Sequence, residues 1–235
     1  MSRAAFTTRS QTALVVGTIH SPGALKKALV LKPTDVDLLE LRVDAFADCP
    51  EKLLRAIPGL PVPLLLTVRH PKEGGAAQLS TVQRRHLLRQ FLPLVQWVDV
   101  EVRSVELLKE EIAHAAAMGV RLIVSDHHFR SLPSQERLAE REALARRAGA
   151  ELFKLAATVR TPSELERLFA FLNRGKAGSL SVMGMGELGQ VSRLLFGRCG
   201  SVLNYGYLDQ PQVPGQWEAS LLKRRLQELF EADAP

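Results

Sequence analysis

The feature that most constrains this chain is a repeat of pattern. A short β-branched or apolar run gives way to an amphipathic stretch, and this recurs about eight times. Strands are expected over 13–20, 36–44, 63–70, 97–102, 121–128, 151–158, 180–185 and 201–206. Helical patterns follow over 24–31, 51–57, 81–92, 105–118, 134–148, 190–196 and 217–230, and one more opens at Thr161. Thr161 is placed to cap that helix, with Pro162 at its first position and Glu164 at its third. Gly119 and Gly149 mark the ends of two others. Strands joined by helical crossovers pair in parallel, and eight units are enough for the sheet to close on itself. The fold class expected is therefore α/β, a single-domain (β/α)8 TIM barrel, with a doubly wound open sheet as the alternative.

No linker or composition shift divides the chain. Residues 13–235 read as one catalytic barrel domain, and residues 1–12 as a polar N-terminal extension without the apolar middle of a secretory signal. The content of 46% hydrophobic and 24% charged residues is that of a globular chain able to bury a full core. A net charge of +6 favours anionic partners. Nucleic acid is not expected among them. The basic residues sit beside acids, as over 137–142, and aromatic residues at 6% offer no stacking platform. No apolar run is long enough for a membrane span. Cys49 and Cys199 alone give no disulfide framework and no zinc site, which suits a reducing cytoplasm.

Function in a barrel belongs at the C-terminal ends of the strands, and there the charges gather. Lys154 stands in the middle of the apolar run 151–156. Burying an ammonium without a partner is costly, and a neutral lysine amine is the nucleophile that forms imines with carbonyl compounds. A lysine stem packed at a strand end with its head in solvent is the plainer alternative. Alternation places Glu40, Arg42 and Asp44 on one face of the second strand, and Asp99, Glu101 and Arg103 on one face of the fourth. Either set could be an internal salt-bridge cluster. His127 and His128 must point to opposite faces, so at most one serves the barrel mouth. His20, His86 and His114 read as structural or exposed. Arg69, the loop acid Glu73 and Arg193 reach the same rim. Structural barrels need few buried charges, so their convergence reads as a site for a polar, anionic substrate.

The segment 184–189 matches the dinucleotide-binding pattern GxGxxG, with Asp209 twenty residues beyond Gly189. Only 46 residues of the 235 follow Gly189, too few to complete a dinucleotide-binding domain.

Taken together, these residues resemble type I 3-dehydroquinate dehydratase, the Schiff-base enzyme of the shikimate pathway. The likeness runs from about Leu14 to Gln216 and rests on Glu40-Leu41-Arg42-Val43-Asp44, Thr67-Val68-Arg69 with Glu73-Gly74-Gly75, Asp99-Val100-Glu101, Ser125-Asp126-His127-His128-Phe129, Lys154-Leu155-Ala156, Met183-Gly184-Met185 with Gly189 and Ser192-Arg193, and Pro214-Gly215-Gln216. The resemblance implies that Lys154 forms the imine, that His127 is the general acid/base, and that Glu73 orients and charges it. It implies that Arg193 binds the substrate carboxylate, that Glu40, Arg42 and Arg69 hold the ring hydroxyls, and that Met183 and Met185 pack near the lysine. It places Gln216 in a loop that closes over the site, and Tyr205 where the family has a phenylalanine against the substrate ring. Gln212 stands where the family has a serine, His128 where it has an aspartate, and Asn204 where it has a threonine. These departures are expected to bear on affinity or lid closure, and no residue with a direct chemical role is missing.

The implied reaction is loss of water from 3-dehydroquinate to give 3-dehydroshikimate, with no cofactor and no metal, in a cytoplasmic homodimer of aromatic amino acid and chorismate biosynthesis. Arg42, Arg69 and Arg193 are expected to disfavour a charged Lys154. A class I aldolase-like barrel, marked by a glycine-rich phosphate site, and a catalytically inactive metabolite-binding barrel are the competing readings.

Overall fold

The computed structural model describes residues 13–175 and 179–231, so the extension assigned to residues 1–12 lies outside the described residues. Eight strands run β1 (Leu14–Ile19), β2 (Leu38–Arg42), β3 (Leu64–Thr67), β4 (Trp97–Glu101), β5 (Arg121–His128), β6 (Leu152–Thr158), β7 (Leu180–Met185) and β8 (Leu203–Tyr207). The helices that follow them in turn are α1 (Pro22–Ala28), α2 (Glu51–Ala56), α3 (Thr81–Phe91), α4 (Lys109–Ala117), α5 (Gln135–Arg147), α6 (Pro162–Arg174), α7 (Gly189–Arg198) and α8 (Ala219–Glu231). All ladders are parallel, and the strand order β7-β6-β5-β4-β3-β2-β1-β8 bends the sheet into a barrel. The β7–β8 seam has no continuous ladder. It is joined by Val202 N–H donating to the Leu180 carbonyl (2.9 Å) and Ser181 Oγ donating to the Leu203 carbonyl (2.6 Å). The barrel expected from the repeat is therefore the fold observed.

Local chemistry explains the boundaries. Thr161 caps α6 in a full capping box with Glu164, and Gly119 and Gly149 follow α4 and α5 at φ of 74° and 85°. Some elements are shorter than their apolar runs suggest. β2 stops at Arg42 because Val43–Phe46 form a 3-10 turn. From that turn Asp44 accepts the backbone N–H of Arg69 (3.1 Å) and of Ala76 (2.8 Å), pinning the loop after β3. The helix expected over 105–118 begins at Lys109, because Val102–Ser104 close a 3-10 turn first. Arg103 thus leaves the strand face that carries Asp99 and Glu101, where alternation had placed it.

Period two sorts each strand into two faces. The outward residues, among them Phe153, Leu155 and Val182, pack under the helices with Phe171, Phe196 and Leu226. Each such side chain contributes about 1.5–3 kcal/mol on burial. The inward residues stack in layers. At the N-terminal end Val16, Leu38, Leu65, Trp97, Ile123, Leu152 and Leu203 form an apolar plug. One pleat higher the layer turns polar, with Glu40, Thr67, Asp99, Ser125, Lys154 and Ser181, all buried. Above it Arg42, His127, Ala156 and Met183 open to the mouth. The plug closes the bottom of the barrel, so the polar layer is reached only from the C-terminal end.

Candidate active site

The C-terminal mouth holds a cavity of about 170 Å³. Lys154 rises into it from the centre of β6 and is buried. Its Nζ donates to Asp99 Oδ2 (3.0 Å), lies 3.9 Å from Glu40 Oε1, and sits 3.8 Å above the centre of the Tyr205 ring. Where the sequence predicts guanidinium groups as the charges nearest this amine, the structure puts carboxylates there. The reason is register. Ser125 pairs with Lys154 across β5–β6, Glu101 pairs with Ser125 across β4–β5, and alternation brings Asp99 inward below Glu101.

Asp99 spends most of its charge on Arg69. Arg69 donates to Asp99 Oδ1 (3.2 Å) and Oδ2 (2.9 Å), to Glu101 Oε1 (3.1 Å) and to Ser125 Oγ (2.8 Å). This bidentate pairing with Arg69, reinforced by Lys154, overcomes burial and holds the Asp99 carboxyl far below the usual range. The salt-bridge reading of Asp99 and Glu101 is thus correct for those two residues. Glu40 accepts from Thr18 Oγ1 (3.1 Å) and Thr67 Oγ1 (2.9 Å) and braces the same layer. From outside the barrel, buried Arg84 of α3 donates to Glu101 Oε2 (2.6 Å), Ser104 Oγ (2.9 Å) and the Val68 carbonyl (3.0 Å). Removing one partner from such a buried network leaves uncompensated charge. Arg84→Met is expected to lower folding stability on the order of 3 kcal/mol, read as a reduced urea midpoint at unchanged slope.

His127 and His128 face opposite ways, as alternation requires. His128 Nε2 bonds Asp126 Oδ2 (2.9 Å) outside the pocket, where Arg141 holds both oxygens of that carboxylate. His127 lines the pocket, and its Nδ1 meets Glu73 Oε2 at 2.9 Å. Glu73 comes from the 3-10 turn Pro71–Glu73, whose exit at Gly74 needs a left-handed φ of 84°. Burial, with Arg69 and Lys154 adding to it, holds the His127 pKa well below the ordinary histidine value. The imidazole is neutral at pH 7. With Nδ1–H donated to Glu73, Nε2 keeps its lone pair for a proton transfer. Phe129 stacks on the imidazole at 6.4 Å and 15°.

Arg193 lines the far wall. Its Nη1 donates to the carbonyls of Gly184 (2.7 Å), Gly189 (3.1 Å) and Gly215 (2.7 Å). No carboxylate among the described residues pairs with it, and burial alone lowers its pKa to about 10. A buried cation held only by dipoles is a ready site for a substrate anion.

The segment between β8 and α8 covers the mouth. Arg42 Nη1 donates to Gln212 Oε1 (2.9 Å), and Gln212 N–H donates to Gln216 Oε1 (2.8 Å). Gln212 thus reaches the pocket by way of Arg42, although it replaces the serine of the family pattern. Arg42 is itself held by Asp44 (2.8 and 3.0 Å) and donates to the Gly74 carbonyl (2.9 Å). This explains the GxGxxG match in physical terms. Gly186 N–H donates to the Pro214 carbonyl (2.9 Å), and a Cβ on Gly215 would come within 2.2 Å of the Gly186 carbonyl oxygen. These glycines let the backbone of the segment between β8 and α8 lie directly on the start of α7. Gly215 also has φ +78°. Gly215→Ala is therefore expected to raise KM about tenfold or more through loss of the docked lid, with a smaller change in kcat.

The residues expected to act on or bind the substrate line this one cavity: Lys154, His127, Glu73, Glu40, Arg42, Arg69, Arg193, Gln212, Gln216, Met183, Met185 and Tyr205, whereas Asp44, Asp99, Glu101 and Arg103, also singled out from the sequence, are not part of its lining. Gly74, Phe129 and Ala156, which stood in the quoted motifs without a role, join them, as do Thr18 and Val213, which were not foreseen. The role of Asp99 as anchor of Lys154 was also missed. Alternation put Asp99 on the charged face of β4, but its meeting with Lys154 depends on register across β4–β5–β6.

Comparison with known proteins shows the family to which the chain belongs. Residues 16–233 match the family described as Type I 3-dehydroquinase. A 3-dehydroquinate dehydratase of Thermodesulfovibrio yellowstonii is 32% identical over 80% of this chain and 88% of its own. One from Latilactobacillus sakei is 31% identical over 93% of this chain and 95% of its own. Among solved structures, the type I 3-dehydroquinate dehydratase of Clostridium difficile with covalently modified comenic acid superposes with a TM-score of 0.84. It has 26% identity and the match covers 94% of this chain and 93% of that one.

Proposed function

This chain belongs to the type I 3-dehydroquinase family, an enzyme family of hydro-lyases, and from that membership and the pocket we propose that it dehydrates 3-dehydroquinate through an imine on Lys154. The observation that carries the proposal is one cavity with an apolar floor, lined by a strand amine, an imidazole backed by a carboxylate, and an arginine with no acidic partner among the described residues.

The roles are assigned from the residues that line the cavity together with the family resemblance. Arg193 takes the ring carboxylate, and Glu40, Arg42 and Gln216 take the hydroxyls. Lys154 passes a proton to the ketone oxygen as its Nζ bonds the ketone carbon, and a second proton moves from that nitrogen to the new hydroxyl, which leaves as water and gives a protonated imine. That cation withdraws electrons from the adjacent C–H. His127 Nε2 removes the proton, and the electron pair enters the ring as an enamine. The enamine then expels the β-hydroxyl, which leaves with the proton that His127 carries. Hydrolysis of the imine frees 3-dehydroshikimate and restores the amine, so the net change is loss of one water. Glu73 stabilises the imidazolium that forms between the two proton transfers. Asp99 fixes the Nζ position between turnovers.

The proposal extends to shikimate-pathway function in a cytoplasmic homodimer. The direct test is to add 3-dehydroquinate to the pure protein and follow the ultraviolet absorbance of the conjugated enone. Steady growth of that band supports the reading, and an inert solution at micromolar enzyme rejects it.

A further inference from the structure

The turn after β4 carries a residue that the chemistry above does not use. Arg103 stands outside the pocket, with its side chain 40% exposed. Its Nε donates to Glu73 Oε1 at 2.8 Å. The other oxygen of the same carboxylate, Oε2, receives Nδ1 of His127 (2.9 Å) and the His127 backbone N–H (3.2 Å). One carboxylate therefore joins a solvent-facing guanidinium to the acid/base imidazole.

An exposed ion pair usually contributes little. Here the acid partner is different in kind, because the Glu73 side chain is only 2% exposed. We propose that Arg103 is a positioning residue: it holds Glu73 Oε1 so that Oε2 stays charged and aimed at Nδ1 of His127. Position supports this. The 3-10 turn Val102–Ser104 that presents Arg103 is fixed by Ser104 Oγ donating to Glu101 Oε2 (2.9 Å), so the guanidinium is delivered by the same network that holds Arg69. No other side chain among the described residues bonds Glu73 Oε1.

Several charges face this pair. Glu73 is faced by Arg69 after β3, by Arg103, by Asp126 and His127 of β5, by Arg141 of α5, and by His70 of its own turn. His127 is faced also by Lys154, Asp99 and Glu101. Burial raises the Glu73 pKa, and Asp126 adds to that, while Arg69 and Arg103 oppose it. Glu73 and His127 form one hydrogen-bonded unit. Removing a cation beside the unit strengthens its hold on a proton, whichever residue carries it. The base form then survives only at higher pH.

The inference rests on the proposed dehydratase reaction, and the experiment separates the two. Wild type, Arg103→Gln and Arg103→Lys are assayed with 3-dehydroquinate across pH 5–9, and the thermal midpoint of each is recorded. In Arg103→Gln the acid limb of kcat is expected to move up by roughly one pH unit, which is a tenfold loss of kcat below the limb. KM is expected to change less than threefold. Arg103→Lys, which keeps the charge, is expected to return the limb most of the way. A limb that stays in place in Arg103→Gln overturns the inference, whether or not the thermal midpoint falls. So does a limb that moves equally in Arg103→Lys. If wild type itself does not turn over, the function proposed above fails instead.

Discussion

Replacing Lys154 with alanine is expected to abolish turnover of 3-dehydroquinate, with kcat falling by roughly 10⁴-fold or more, the scale on which loss of a covalent nucleophile acts. No other described amine lines the cavity, so no second group can form the imine. The loss should not be a folding artefact. Asp99, the direct partner of Nζ, keeps both bonds from Arg69 and the bond from Ser125 Oγ (2.5 Å), so its charge stays compensated. The Tyr205 ring and the two methionines remain to line the space. The measurement is the initial rate of enone formation, together with a thermal melt showing a folded variant.

His127→Ala should act differently. General acid/base catalysis is typically worth about 10²–10⁴-fold, and kcat is expected to fall by that factor. The amine of Lys154 remains, so substrate should still become covalently attached while the later steps stall. The matching control is His128→Ala. His128 faces away from the pocket and bonds Asp126, which Arg141 continues to hold, so its loss should leave kcat within about threefold. In wild type the depressed His127 pKa sets a further sign. The base is deprotonated below the ordinary histidine range, so the acid limb of kcat/KM should lie below about pH 6.5.

Much of this was written in the sequence, and the reason is local. The switch from period two to period 3.6, repeated about eight times down the chain, favoured a parallel barrel over a doubly wound open sheet. Lys154 was conspicuous because an ammonium interrupts an apolar strand. His127 and His128 separated cleanly because a strand has two faces and no others. What the sequence hid depends on register between strands, which no single run of residues encodes. Alternation gave the face on which Asp99 lies, but not that it meets Lys154. It placed Arg103 beside Glu101, and a 3-10 turn moved it onto Glu73. The glycines of 184–189 looked like a nucleotide motif because close backbone approach needs the same residue whatever approaches. Here the approaching group is the chain's own lid at Gly215. Gln212 could be read as a departure from the family, but its bond to Arg42 lies 170 positions away in sequence.

The central claim is a covalent bond between one amine and the substrate. Incubating the protein with 3-dehydroquinate and sodium borohydride, then measuring intact mass and mapping the modified peptide, tests it most directly. A single ligand-sized increment on the peptide holding Lys154, absent without borohydride, is the expected result. An enzyme that turns substrate over while its mass stays unchanged, or a label on any other residue, would contradict it.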